Sequence, residues 1–152
     1  MIELDYTLSP SWKRSWEALN LAEASETDLL YRALLGDIIF RVDSNDFSAK
    51  WGWIPVVGFA ASLSHIIGEL VERDGVETTF DFTESDAVLR FKRAGEGILI
   101  SASYAPGEAY VPLTEFTTAV NSFSRRVANE LSQQFPSLCE NKSLQQLFSI
   151  PD

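Results

Sequence analysis

The stretch VETTFDFTESDAVLRFKRAGEGILISASY, residues 76–104, decides the fold class of this chain. It contains three short runs in which apolar and polar residues alternate, separated by ESD and AGEG. In the middle run Leu89 and Phe91 share one face, while Arg90 and Lys92 share the other. Such alternation is typical of strands with one buried face, and the short polar breaks are typical of hairpin turns. The stretch therefore predicts a three-stranded antiparallel meander.

Two long amphipathic helices are predicted on either side of the meander. In residues 113–135 apolar side chains recur every three or four positions, which places them on one face of a helix. They are Leu113, Phe116, Val120, Phe123, Val127, Leu131 and Phe135. A second stripe starts after Pro55 and ends near Arg73, with Gly75 as a C-terminal cap. It consists of Phe59, Ala60, Leu63, Ile66, Ile67 and Leu70.

The remaining segments complete an α+β fold. Strands are predicted at residues 2–8 and around Ile38–Val42, and a helix that carries Trp12 and Trp16 is predicted from Pro10. The stretch APGEAY, residues 105–110, predicts a turn, and residues 140–148 predict a short terminal helix. We expect a mostly antiparallel sheet that includes the meander, with the two long helices packed on one face. Since no linker or repeat divides the chain, residues 1–152 are predicted to form a single domain.

The charge of the chain favours a basic protein partner. It has 22 acidic and 12 basic side chains, for a formal net charge of −10. Such a field repels the phosphates of nucleic acids and anionic membranes, and it attracts basic proteins. We therefore expect a protein partner with a basic surface, and neither nucleic acid nor membrane as a ligand.

The sequence also favours the cytoplasm. The single cysteine, Cys139, excludes an intramolecular disulfide and favours a reducing compartment. The N-terminal MIELDYTLSP has acidic residues where a signal peptide carries positive charge. The longest apolar stretch, residues 53–70, is interrupted by Pro, Ser, His and Gly, which is typical of a core helix rather than a membrane span.

No residue pattern predicts catalysis, a metal site or a cofactor. Asp81, Glu84 and Asp86 approach the spacing of a calcium-binding loop. That loop needs a glycine at its sixth position and a glutamate at its twelfth, and this chain has neither when counted from Asp81. The only histidine, His65, interrupts the apolar pattern of a predicted helix, and a base there would need a partner acid and a pocket. We therefore predict that the protein is not an enzyme.

Acidic residues concentrate between residues 69 and 86, and Arg73 is the only arginine or lysine in this segment. The short connection DGVE is expected to bring the helix end beside the first strands, so that the acids share one rim. They are Glu69, Glu72, Asp74, Glu77, Asp81, Glu84 and Asp86. Two interpretations remain open: a solvated surface that keeps the protein soluble, or a docking patch for a basic protein.

The stretch DFSAKWGWIP, residues 46–55, is predicted to be a loop with two tryptophans at its centre. Trp51 and Trp53 are two positions apart, so in an extended segment they point to the same side. We expect at least one of them to link the preceding strand to the helix that starts after Pro55. The other, beside Asp46 and Lys50, has the surroundings of an anchor for a protein partner.

Taken together, several stretches resemble small bacterial immunity proteins that are encoded beside polymorphic or contact-dependent toxins. They are LLGDIIFRVDSNDFSAKWGWIPVVGFAASL, FDFTES, ILISASY, VPLTEFTTAVNSFSRRVANEL and FPSLCENKSLQQLF, which span roughly residues 30–148. The resemblance implies a non-enzymatic inhibitor that binds its cognate toxin in the cytoplasm and blocks its active site or substrate groove. Many such toxins are nucleases with basic surfaces, for which an acidic inhibitor would mimic nucleic-acid phosphates.

Two hypotheses from different classes follow. The first is an acidic immunity or inhibitor protein that binds a toxin. The second is a small-ligand-binding or enzymatic α+β domain that uses Trp51 or Trp53 as the wall of a pocket. A homo-oligomer is compatible with either hypothesis.

Overall fold

The computed structural model describes residues 1–10, 21–82 and 85–147. They form an α+β fold with two four-stranded antiparallel sheets. In chain order the elements are β1 (Ile2–Leu8), α1 (Glu26–Tyr31), β2 (Leu35–Val42), β3 (Asn45–Asp46), β4 (Ala49–Pro55), α2 (Val56–Leu70), β5 (Glu77–Asp81), β6 (Val88–Ala94), β7 (Gly97–Ala102), β8 (Ala105–Pro112), α3 (Leu113–Gln134), a 3-10 helix (Pro136–Glu140) and α4 (Lys142–Leu147). The helix predicted around Trp12 and Trp16 lies outside the described residues.

The first sheet is built around β2, which alternates buried and half-buried residues along its whole length. It pairs with β1 from Ile2↔Val42 to Leu8↔Gly36, and on its other side with β3 and β4. On β1 Leu4 is buried between exposed Glu3 and Asp5, as a strand with one buried face requires. The strand predictions for both segments are confirmed.

The second sheet contains the predicted meander and adds one strand to it. Its order is β5-β6-β7-β8, and every pair is antiparallel. Leu89 and Phe91 are buried while Arg90 and Lys92 are exposed, which confirms the two predicted faces of the middle strand. Since β5 and β8 are the outer strands, each has one edge that pairs with no other strand in the sheet.

The prediction of a turn at residues 105–110 is wrong, because this segment begins strand β8. Ala109 and Val111 are buried, whereas Tyr110 between them and Glu108 before them are exposed. This alternation lets β8 pair with β7 from Gly97↔Pro112 to Ala102↔Ala105. The turn residues are accommodated at the start of the strand, where Gly107 has φ +96° and the register shifts. Burial of one strand face thus outweighs the local preference for a turn.

The two long helices pack against each other and against both sheets. Helix α3 contacts β1, β7 and β8, and α2 contacts β2, β4 and β5. The predicted stripe of α3 is confirmed, since Phe116, Val120, Phe123, Val127 and Leu131 are buried. Helix α2 ends at Leu70, three residues before the predicted end near Arg73. There Arg93 of β6 donates a hydrogen bond of 2.8 Å to the carbonyl oxygen of Leu70, which satisfies a group at the helix end.

Candidate functional site

The two tryptophans lie on a large bulge in β4, where the sequence predicted a loop. Strand β2 pairs at Gly36↔Ile54 and again at Ile38↔Ala49, so residues 50–53 of β4 lie opposite Asp37 alone. The carboxylate of Asp37 accepts a hydrogen bond of 2.8 Å from the N–H of Gly52, which has φ +80°. This one side chain satisfies a backbone N–H in the middle of a segment that the sheet does not pair.

The indole rings of Trp51 and Trp53 stack on each other, with centroids 5.4 Å apart and an angle of 24° between planes. They therefore lie on the same side of the chain, as predicted. Trp53 is half-buried and packs against the core, so it is the residue that links the strand to the fold. Trp51 remains 37% exposed, although two further rings pack edge-on against it.

Trp51 lies where the two sheets meet. Its ring centroid is 5.1 Å from that of Phe82, which follows β5, and 5.1 Å from that of Tyr104, between β7 and β8. The Tyr104 hydroxyl donates a hydrogen bond of 2.6 Å to the carbonyl oxygen of Phe47 in the first sheet's β3–β4 connection. Burial raises the pKa of Tyr104, and the charge of Asp46 raises it further. The partly exposed Trp51 ring is thus held by contacts from both sheets.

Beside Trp51 is an open cleft of about 520 Å³, which we call the tryptophan cleft. It is lined by Trp51, Trp53, Ser85, Asp86, Ala87, Ser103 and Tyr104. Asp86 is exposed and is the one charged side chain among the described residues that line the cleft. An aromatic face beside a carboxylate is suited to a cationic side chain, which is attracted by both groups.

Trp53 also lines a second depression of about 570 Å³, which we call the α2–β5 groove. Its floor is formed by α2 with both short and long side chains, namely Gly58, Phe59, Ala61, Ser62, His65, Ile66 and Glu69. Strand β5 and Phe82 form one wall, with residues 78–82. Helix α1 forms the facing wall through Glu26, Leu30 and Tyr31.

The ionisable groups of the α2–β5 groove are mainly acidic. Glu26, Glu69 and Asp81 line it, and among the lining residues that the structure describes His65 is the one basic side chain. His65 Nε2 lies 3.0 Å from Glu69 Oε1, one helical turn away on α2. The side chain of His65 is exposed and that of Glu69 is half-exposed, so a bound segment would reach both.

The acidic residues that were predicted to share one rim lie in several different places in the structure. Glu69 and Asp81 line the α2–β5 groove, and Asp86 lines the tryptophan cleft. Glu72 and Asp74 lie in the connection from α2 to β5, where Asp74 accepts a hydrogen bond of 2.9 Å from the N–H of Gly95. Glu84 lies outside the described residues.

The remaining two predicted acids have basic neighbours. Glu77 lies directly opposite Lys92 in the register of β5 and β6. Asp46 lies 3.5 Å from Arg41 Nε and accepts a hydrogen bond of 2.9 Å from the N–H of Ser48. Hydrogen bonds from Ser48 lower the pKa of Asp46, and the charge of Arg41 adds to this effect. The net charge around Glu77 and Asp46 is therefore less negative than the acidic residues alone would give.

Sequence reasoning missed the bases of β6 and the wall formed by α1. Arg90 and Lys92 come later in the chain, and only the sheet register places them beside Thr79 and Glu77. Helix α1 has just six residues, too few for a periodic pattern. The signal that could have found it is the capping box of Ser25, whose side chain accepts a hydrogen bond of 3.1 Å from the N–H of Asp28.

Comparisons with family models, with curated proteins and with solved structures gave no match to this chain. Within the part of the chain that the structure describes, no helix is both long and apolar enough to cross a membrane. In that same part, no cluster of three or more His, Cys, Asp or Glu residues is placed to hold a metal ion.

Proposed function

We propose that this chain is a non-enzymatic, cytoplasmic binding protein that inhibits a partner with a basic surface, in the manner of an immunity protein that neutralises a cognate toxin. The observation that carries the proposal is the partly exposed Trp51, which packs against three other rings and lines the tryptophan cleft together with Asp86. Net charge and the sequence resemblance to immunity proteins support the same conclusion.

Trp51 has the properties of an interface anchor. Tryptophan is enriched among the few residues that dominate binding energy at protein interfaces. Its ring is already fixed by Trp53, Phe82 and Tyr104, so little side-chain freedom is lost on binding. A pre-ordered aromatic side chain that is 37% exposed therefore offers contact area at a small entropic cost.

The charges around this anchor select a basic partner. Asp86 borders the tryptophan cleft, while Asp81 and Glu69 border the neighbouring α2–β5 groove, and Trp53 lines both. Together with a net charge of −10, these carboxylates would speed the encounter with a basic protein and repel acidic ones. Apolar contact with Trp51 would then slow dissociation.

The experiment is inhibition of the toxin domain encoded by the neighbouring gene, measured as rescue of growth and as complex formation with the purified proteins. Trp51→Ala should weaken binding by about 30-fold or more, as expected for a residue that dominates an interface. The double variant Asp81→Lys, Asp86→Lys should slow association and reduce its dependence on salt.

A matched control is Glu96→Lys, because Glu96 lies in the turn at the opposite end of β6 from Asp81 and Asp86. The length of β6 separates these positions by roughly 20 Å, so this variant should slow association less than either Asp81→Lys or Asp86→Lys alone, which change the net charge by the same amount. The proposal is wrong if the neighbouring protein forms no complex, or if none of these substitutions at Trp51, Asp81 and Asp86 alters binding.

A second candidate function is supported by the α2–β5 groove itself. Its volume of about 570 Å³ lies in the range of small-molecule sites, and Trp53 lies beside the polar pair His65 and Glu69. A small ligand held there would raise the thermal unfolding midpoint of the wild type and would do so less for His65→Ala. The inhibitor hypothesis instead predicts that Trp51→Ala weakens toxin inhibition more than His65→Ala does.

A further inference from the structure

Strand β5 presents unpaired backbone groups along its outer edge. Arg93 donates to the carbonyl oxygen of Val76 at 2.8 Å, and Phe82 donates to that of Ala87 at 3.1 Å. Because hydrogen bonding alternates along an antiparallel pair, residues 76, 78, 80 and 82 face β6, whereas Glu77, Thr79 and Asp81 face outward. In the described parts of the chain, the backbone N–H and C=O groups of these three residues have no hydrogen-bond partner.

This edge runs along the α2–β5 groove. The five consecutive residues 78–82 all line the groove, although side chains of neighbouring strand residues point to opposite faces. A depression that contacts consecutive residues lies along the edge of a strand rather than on one of its faces. The outward N–H and C=O groups of Thr79 and Asp81 are therefore available to a chain placed in the groove.

The dimensions of the groove suit a short extended peptide. Its floor follows α2 from Gly58 to Glu69, which corresponds to roughly 16 Å of helix. Five residues in an extended conformation cover about the same distance. The short side chains of Ala61 and Ser62 leave room above the middle of the helix for such a peptide, whereas the backbone of α1 covers Gly58.

The charges of the edge disfavour a second copy of this chain as the occupant. In an antiparallel pair of two β5 strands centred on Thr79, Glu77 of one copy would lie opposite Asp81 of the other. Facing carboxylates on paired strands are destabilising. A basic segment would instead meet Asp81, Glu69 and Glu26, while an apolar side chain could contact Phe80 and Trp53.

We propose that the α2–β5 groove binds an extended segment of the partner, about five residues long with Lys or Arg next to an apolar residue, which adds to β5 as a fifth strand. This inference rests on the proposed function, because the segment belongs to the same basic partner. Main-chain hydrogen bonds to Thr79 and Asp81 would supply affinity, and the carboxylates of Asp81, Glu69 and Glu26 would supply specificity.

The first test is selection of heptapeptides from a random displayed library against the full-length protein, followed by titration of the tightest fluorescent peptide. We expect enrichment of Lys and Arg. Thr79→Pro removes the outward N–H without removing a bond to β6, and it should weaken peptide binding at least about tenfold. Thr79→Ala keeps that N–H and should bind within about threefold of the wild type.

Circular dichroism and thermal unfolding would establish that both variants are folded. A library that yields no binder, binders without basic residues, or equal binding by the Thr79→Pro and Thr79→Ala variants would overturn the inference. Concentration-dependent dimerisation of the wild type that Thr79→Pro abolishes would show that the occupant is a second copy, which would overturn it as well.

Amide hydrogen exchange supplies a second measurement that needs no substitution. In the free protein the amides of Glu77, Thr79 and Asp81 should exchange quickly, whereas those of Thr78 and Phe80 are already bonded to β6. The selected peptide should slow exchange at the first three positions and change the other two little. Equal slowing at all five positions would indicate general stabilisation and contradict strand addition.

The complex with the toxin separates failure of this inference from failure of the proposed function. If Thr79→Pro binds the toxin like the wild type while Trp51→Ala binds it weakly, strand addition is wrong and the inhibitor function stands. If the wild type binds no toxin yet binds basic peptides at the edge of β5, the groove is a peptide site and the inhibitor function is wrong.

Discussion

Single residues decide where the aromatic surface of this protein lies. Asp37 is the clearest case, because its two carboxylate oxygens serve two segments. Oδ1 accepts the N–H of Gly52 at 2.8 Å, and Oδ2 lies 3.4 Å from the hydroxyl of Thr7 on β1. The bulge that carries Trp51 and Trp53 is thus anchored through one half-buried acid in the neighbouring strand.

Replacement of Asp37 tests this anchor. Asp37→Ala should lower the free energy of unfolding by about 1.5–3 kcal/mol, the range for a hydrogen bond to a charged group. It should also weaken the circular-dichroism band that arises from the stacked indoles of Trp51 and Trp53. Asp37→Asn keeps an oxygen acceptor and should retain most of the stability and the band. Unchanged urea unfolding and an unchanged spectrum for Asp37→Ala would show that the bulge does not depend on this contact.

At the scale of elements, the α2–β5 groove exists because α1 is seated close to α2. A Cβ atom added at Gly58 would overlap the backbone carbonyl oxygen of Leu30, so only glycine permits this approach. The segment before α1 is fixed by buried Asn141, whose Nδ2 donates to the carbonyl oxygens of Leu21 at 2.7 Å and Ala24 at 2.9 Å. The groove wall therefore depends on contacts from two distant parts of the chain.

The two glycines of α2 provide a matched pair of substitutions. Gly58→Ala should destabilise the protein by about 1–3 kcal/mol, because the backbone of α1 must move. Gly68→Ala meets open space and should stabilise it by about 0.5–1 kcal/mol, the helical preference of alanine over glycine. Chemical unfolding of both variants measures the difference. Equal effects of the two substitutions would mean that close packing of α1 on α2 is not what constrains residue 58.

At the scale of the whole molecule, the two sheets are joined by the long helices and by one aromatic cluster. Tyr104, which follows β7 of the second sheet, contacts the first sheet twice in this cluster. Its ring packs on Trp51, and its hydroxyl donates a hydrogen bond to the carbonyl oxygen of Phe47. The helices supply most of the shared core, whereas Tyr104 fixes the sheets at the edge where Trp51 is exposed. Stability of this joint should therefore depend on the protonation of Tyr104.

Tyr104→Phe should lower the free energy of unfolding by about 0.5–1.5 kcal/mol at neutral pH, the usual effect of one lost hydrogen bond. The pKa of Tyr104 is raised in the folded state, so its contribution is complete below the unfolded pKa of about 10. The contribution is lost as pH rises through the folded pKa. The stability difference between wild type and variant should thus shrink above about pH 10.

Urea unfolding between neutral and alkaline pH measures this effect, with Tyr31→Phe as a control. Tyr31 is 53% exposed on α1, and loss of its hydroxyl should leave the unfolding free energy at neutral pH unchanged. A difference between wild type and Tyr104→Phe that stays constant to the highest pH would contradict the assigned hydrogen bond.

The sequence by itself determined the helices and strands whose apolar pattern reflects burial of one face. Alternation in residues 88–94 and the three-to-four spacing in residues 113–134 reflect burial of one face, and such burial is local in sequence. For this reason the α+β class, the meander, β1, β2 and the two long helices could be predicted. The net charge of −10 needs no structure either.

Only the tertiary structure decided the candidate site, because its contacts join residues that are far apart in sequence. Asp37 meets Gly52 across two strands, Tyr104 meets Trp51 across two sheets, and Lys92 faces Glu77 only through the register of β6. The start of β8 is a strand in spite of its turn residues for the same reason, because it pairs with β7. A pattern within one segment carries no information on which segment will lie beside it. The pairing of distant segments makes Trp53 a lining residue both of the cleft beside Trp51 and of the groove along the free edge of β5.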